Sequence, residues 1–130
     1  MLYNPNSLVT PLSATSAAIF ERLDDGGYLR SAAVGWPTGA AWHLLRDHPV
    51  ALAVGRSSLA RIDRTEWYDL EDMQPETRPA IGVSIVAGGR AQALLLLGPH
   101  RNGADFDSTA IASLRRLSDR VSAIYGALPN

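Results

Sequence analysis

Apolar side chains crowd the last third of the chain. Ala80 to Ala87 and Ala91 to Gly98 form two aliphatic runs joined through Gly88-Gly89. Short runs of this kind around a glycine pair predict a β-hairpin, because adjacent glycines supply the positive φ angles of a two-residue turn. With that turn, the expected register pairs Ile85 with Gln92, Val83 with Leu94 and Ile81 with Leu96 on one face. The other face carries Val86 with Ala91, Ser84 with Ala93 and Gly82 with Leu95. Both faces are largely apolar, whereas a hairpin with one wet face alternates cleanly, so the pattern predicts cover on both sides.

The period then changes from two to between three and four. Ile111, Leu114, Leu117, Val121, Ile124, Tyr125 and Leu128 recur at helical steps. At 100° per residue they fill an arc of roughly 140°, the width of an ordinary core-facing stripe. Asp107 is placed to cap this helix at Ser108, and Gly126 and Pro129 mark its end. Arg116 and Asp119 fall on the back of the helix.

A second hairpin is predicted earlier. Ala17 to Leu23 and Tyr28 to Val34 flank Asp24-Asp25-Gly26-Gly27, with Ala18 and Phe20 on one face and Ala17, Ile19 and Leu23 on the other. Residues 1–15, with Pro5 and Pro11, show no helical period and are expected to be extended, leaving 16–128 as the domain. Between the hairpins, Trp36 to Pro79 is irregular. A short helix is expected over Gly39 to Leu45, and another over His48 to Ala53, capped by Asp47 with Pro49 in its first turn. A short strand is expected at Leu59 to Asp63, and a helical turn over Glu66 to Met73 before Pro75. Long connections in small domains tend to carry function or structure of their own.

The order strand, tight turn, strand ending in Gly98-Pro99-His100-Arg101-Asn102-Gly103, then Phe106 and a long helix resembles the C-terminal half of a GAF domain. The Asp/Gly-rich opening hairpin extends the resemblance, which the middle of the chain does not carry to any one subtype. The resemblance implies an α+β fold: a central, mostly antiparallel sheet of five to six strands, helices on both faces and a long C-terminal helix. It also implies an N-terminal helix beside the closing one, expected here to lie upstream of the first residue. A PAS domain is the rival fold, but it typically lacks so long a closing helix.

Size and composition narrow the field. At 130 residues the chain is one domain, large enough for a core without staples. There is no cysteine, which removes disulfides, thiolate metal sites and cysteine nucleophiles. The formal charge of −1 gives no electrostatic case for nucleic acid or an anionic membrane. All 12 basic residues are arginine, read as the codon bias of a GC-rich bacterial genome. The run Leu94 to Leu97 is far too short to span a bilayer, and a cytoplasmic location is expected.

The candidate chemistry is thin. His43 and His48 lack the i, i+4 spacing of a metal pair and His100 lies in a distant loop, so ordinary histidines are the plainer reading. No Gly-x-Ser-x-Gly nucleophile elbow and no phosphate-loop spacing occurs. Glu66, Asp69, Glu71, Asp72 and Glu76 lack EF-hand spacing and read as a solvated surface, with Arg61 and Arg64 nearby to neutralise part of it. The aromatic residues Trp36, Trp42, Trp67 and Tyr68 have the broad apolar faces and polar handles of a concave site, although tryptophans of small domains are mostly core.

The resemblance excludes some branches of the family. Covalent bilin carriers and free methionine sulfoxide reductases need cysteine, and the cyclic-nucleotide signature contains a lysine; the chain has neither residue. Haem ligation through His43, His48 or His100 stays open. The expected function is regulatory: a GAF-like sensor domain without catalytic residues, cofactor or metal of its own. It is expected to belong to a bacterial sensor histidine kinase or cyclic-dinucleotide enzyme and to pass a signal to that protein's output domain. A small molecule is expected at Trp36, Trp42, His43, Arg61, Trp67 and Tyr68. Ala112, Arg116, Asp119, Ala123 and Ala127 on the closing helix are candidates for homodimer or partner contact, although exposed alanine is also simply a good helix former. The alternative is a ligandless interaction module pairing through that helix. A metal hydrolase using His43, His48 and the acidic run is the weaker enzymatic reading.

Overall fold

The computed structural model describes residues 14–36, 43–56, 59–62, 78–99 and 106–127. The strands are β1 (Ala17–Arg22), β2 (Tyr28–Val34), β3 (His43–Leu44), β4 (Leu59–Arg61), β5 (Ile81–Ala87) and β6 (Arg90–Leu97). The helices are α1 (Pro49–Arg56) and α2 (Ser108–Ala127). One antiparallel sheet joins the strands in the order β3-β2-β1-β6-β5-β4. The architecture is α+β, with α2 on one face of the sheet and α1 on the other.

Both hairpins form at the predicted turns. Gly88 and Gly89 have φ of 65° and 80°, the pair of left-handed residues that matches the twist of the flanking strands. In the first hairpin Gly26 has φ of 90°, and the Asp25 carboxylate accepts from the Gly27 amide at 2.8 Å, the Asx turn that an Asp before glycine favours.

The register departs from expectation beyond Val86. Val86 pairs with Ala91 as predicted, but Ile85 then meets Ala93, Val83 meets Leu95, and Ile81 meets Leu97. Gln92 is the extra residue of a β-bulge, and its side-chain amide donates to the Ala87 carbonyl at 3.1 Å. The bulge matters because side chains alternate. A one-residue slip sends Leu94 and Leu96 to the α1 face, and Ala93, Leu95 and Leu97 to the α2 face with Ile81, Val83 and Ile85. A second irregularity lies between Ile19 and Phe20, where the hydroxyl of the extra residue Ser31 donates to the Ile19 carbonyl at 3.3 Å.

The closing helix begins where predicted. The Asp107 carboxylate accepts from the Ala110 amide at 2.8 Å, satisfying one of the amides that a helix start leaves without a partner. Leu114 and Val121 are buried on the sheet, with Ile111 and Leu117 packed beside them. Ile124 departs from the expected stripe and is 47% exposed.

The middle differs more. His43 and Leu44, expected in a helix, are strand residues paired with Leu29 and Tyr28. The helix after them forms over Pro49–Arg56, but Asp47 is not its cap. His48 takes that place: its Nδ1 accepts from the Val50 amide at 3.1 Å, and its carbonyl from the Leu52 amide at 3.0 Å. Asp47 is exposed. The strand predicted at Leu59 forms over Leu59–Arg61. The expectations for residues 1–13, the helical turn at Glu66 to Met73, Trp42, Trp67, Tyr68 and His100 lie outside the described residues.

Candidate functional site

The two faces of the sheet are built from different side chains. Against α2 the sheet presents Ala17, Ile19, Ile81, Val83, Ile85, Ala93, Leu95 and Leu97, all aliphatic. The other face has Phe20, Leu94 and Leu96 as a floor, Tyr28 and Leu44 toward the β3 edge, and Val50, Ala51 and Val54 of α1 above. Trp36 follows β2 at the margin of this face. Its ring centroid lies 5.8 Å from that of Phe20 at an interplanar angle of 56°, a tilted arrangement favoured by the ring quadrupoles. The Arg30 guanidinium carbon sits 5.6 Å from the Trp36 centroid, within cation–π range. Arg30 pairs with Phe20 in the β1–β2 ladder, so aromatic floor, indole and guanidinium meet in one corner.

α1 rests on this face because Gly82 makes room for it. A Cβ at position 82 would come within 2.5 Å of Val54 Cγ2 and 3.1 Å of Leu96 Cδ2. The helix therefore touches strand backbone, and any side chain there displaces Val54. Ser84, two residues on, is buried among apolar neighbours. Tyr28 is buried at the β3 end; burial pushes its phenol above the ordinary value of 10.0, and the nearby Arg22 guanidinium pulls partly the other way.

Of the predicted ligand residues, the three that are described, Trp36, His43 and Arg61, do not form one cluster. Trp36 stands on the α1 side of the sheet, packed against its core. His43 lies in β3 and the exposed Arg61 in β4, at opposite edges of the six-stranded sheet. Trp42, Trp67 and Tyr68 lie outside the described residues. On α2, Arg116, Asp119 and Ala123 are exposed and Ala112 is half-buried. Among the described residues no three His, Asp or Glu side chains lie close enough to hold a metal ion, and His48 is occupied in capping α1.

Phe20, Tyr28 and Arg30 were not singled out from sequence, although the alternation of β1 already placed Phe20 opposite Ile19. The missing signal was register, since only pairing sets Arg30 beside Phe20. An open cleft of about 500 Å³ lined by Asp25, Leu45, Arg46 and Asp47 was also not foreseen. It lies between the first hairpin turn and the turn after β3, and those turns are brought together only by β2–β3 pairing. No helix among the described residues is long and apolar enough to cross a membrane.

The sequence matches no family model and no curated protein. The fold has clear counterparts among solved structures. A GAF domain/HD domain protein from Geobacter sulfurreducens superposes with a TM-score of 0.71 at 14% identity, covering 92% of this chain and 85% of that one. The type II free methionine-R-sulfoxide reductase of Thermoplasma acidophilum gives 0.70 at 19% identity, over 92% and 85%. The phycocyanobilin-bound GAF domain of a cyanobacterial phytochrome gives 0.69 at 11% identity, over 94% and 80%. The chain has the GAF fold.

Proposed function

We infer that this GAF-fold domain is a regulatory sensor that takes a small molecule on the α1 face of its sheet and passes the signal through α2 to an output module of a bacterial signalling protein. The observation that carries the reading is the corner formed by Phe20, Trp36 and Arg30: an aromatic wall with a guanidinium held across it, at the margin of the face covered by the short helix. Such a corner offers a flat apolar surface and a fixed positive charge, the combination that recognises a planar molecule bearing an acidic group. The bilin-bound phytochrome neighbour shows that this fold accommodates a small molecule in another protein. The reductase neighbour shows that the fold also carries enzymes. Having no cysteine, this chain has no thiol for either covalent pigment attachment or cysteine-based reduction. The sensor reading includes no reaction, no metal and no resident cofactor; it places the domain in the cytoplasm as part of a histidine kinase or cyclic-dinucleotide enzyme, whether or not that parent is anchored in a membrane. Trp42, Trp67 and Tyr68 remain part of the proposed ligand set with Trp36, and the back of α2 remains the proposed dimer contact; His43 and Arg61, whose ladder partners Leu29 and Ile81 alternate to the α2 side, are not proposed on this face.

A second reading is favoured by one specific observation. Phe20, Leu94 and Leu96 are fully buried, and Phe20 fills the space beside Trp36, as expected of a plugged core. On this reading the domain is a ligandless module that pairs through α2.

Native mass spectrometry of the gently purified domain, read for adducts and for dimer, separates the two. A retained small molecule that is lost from the Arg30→Gln variant is expected for the sensor. An adduct-free dimer, dissociated by a charged residue at Ala123, establishes the interaction module and rejects the sensor.

A further inference from the structure

Two hydroxyls of α2 bond to strand backbone at one place on β5. The Ser118 hydroxyl donates to the Ser84 carbonyl at 2.9 Å, and both residues are buried. One helical turn later, the Ser122 hydroxyl accepts from the Val86 amide at 3.1 Å. The spacings match: four residues of helix rise about 6 Å, and two residues of strand about 6.6 Å. Among the described residues β4 pairs with β5 over Ile81 to Val83, and the helix hydroxyls take backbone groups of the residues that follow. The two bonds run in opposite directions, hydroxyl to carbonyl and amide to hydroxyl. Sliding α2 by a single residue breaks both.

The same stretch of β5 also touches the opposite layer. Gly82 lies against Val54 of α1, and Ser84 alternates onto that face while its carbonyl is held by α2. The β-bulge separates Ile85 from Val86, so the clamped segment sits where the ladder with β6 is locally disrupted. A displacement of α1 therefore presses on the strand within two residues of the clamp.

We propose that Gly82 to Val86 is the mechanical link between the two layers, with Ser118 and Ser122 as the positioning residues through which α2 reads the seating of α1. The link is a property of the unliganded protein and stands whichever occupant the α1 face takes. Coupling of this kind is reciprocal, so loosening either helix must loosen the other.

Hydrogen exchange on the full chain tests it. The Ser118→Ala/Ser122→Ala double variant is compared with Ile111→Val, which trims the α2 interface away from the clamp, at denaturant concentrations that equalise global stability. Alanine is the better helix former, so any loss in the double variant comes from the hydroxyls. The expected result is exchange in the α1 peptide about fivefold faster than in Ile111→Val, within the range of such couplings. Val54→Ala is expected to speed exchange over residues 118–124 by a similar factor. Exchange changes confined to α2 and residues 84–86, with α1 matching the Ile111→Val control, overturn the link. The outcome is independent of whether native mass spectrometry finds a ligand.

Discussion

The two faces of the sheet, one floored by aliphatic side chains and the other by Phe20 with Leu94 and Leu96, are closed by different means. On one, a 20-residue helix lays its apolar stripe along β5, fixed by the Asp107 cap and by two serine hydroxyls. On the other, an 8-residue helix is held by a histidine cap and by the fit of Val54 over Gly82, with aromatic and charged side chains beside it. An isolated helix of that length is unstable in water and depends on its tertiary contacts. The contrast locates the adaptable layer: the long helix is the fixed partner of the sheet, and the short one is where a small change of packing has the larger structural effect.

The strongest test of the comparison uses neighbouring leucines on opposite faces. Leu94→Ala and Leu95→Ala each remove a buried side chain and are expected to cost about 3 kcal/mol in urea unfolding. Only Leu94→Ala, whose cavity opens beside Phe20, is expected to alter the indole resonance of Trp36. Equal perturbation of Trp36 by both variants would falsify the assignment of Leu94 and Leu95 to separate packing layers.

Next comes the seat of α1. Gly82→Val is expected to cost about 2 kcal/mol, since the new methyl groups meet Val54 inside van der Waals distance. The companion Val54→Ala in the same chain is expected to recover part of that loss; a strictly additive pair would mean the helix does not bear on Gly82.

The caps give a smaller effect. His48→Ala and Asp107→Ala are each expected to cost about 1 kcal/mol, and Asp47→Ala close to zero. A larger loss from Asp47→Ala than from His48→Ala in thermal unfolding would assign the cap to the wrong residue.

The smallest effect is set by pH. The Tyr28 phenol is held above 10.0 by burial, so on raising the pH the unfolded chain loses this proton before the folded one. Its contribution to stability is therefore complete below pH 10 and is lost as pH rises through the higher folded value. Ultraviolet titration is expected to show one tyrosine ionising late, absent in Tyr28→Phe, and Arg22→Gln is expected to delay it further because the opposing positive charge is gone.

Local chemistry made much of this fold legible. Both hairpin turns, the start of α2 at Asp107 and the double-sided burial of the glycine-linked hairpin follow from residues close in sequence, where φ preferences and capping act without help from the rest of the chain. The expectations that failed depended on distant partners. His43 and Leu44 became strand because β2 offered an edge to pair with, which outweighed a weak helical propensity. The α1 cap passed from Asp47 to His48 because the helix starts one residue later, where a ring nitrogen reaches the Val50 amide. Ile124 carries the right period but lies near the end of α2, one turn past the buried Val121, and is exposed.

By itself, then, the sequence determined the strand and helix types wherever a turn, a cap or a sustained period states its own geometry, and with them the GAF-like order of elements. Only the tertiary structure decided which face each residue of β6 serves, because a single bulge at Gln92 moves every later side chain across the sheet. It likewise decided that Arg30, Phe20 and Trp36 share a corner and that Ser118 and Ser122 meet β5. Such meetings depend on pairing register, and register is set by the packing of both faces at once.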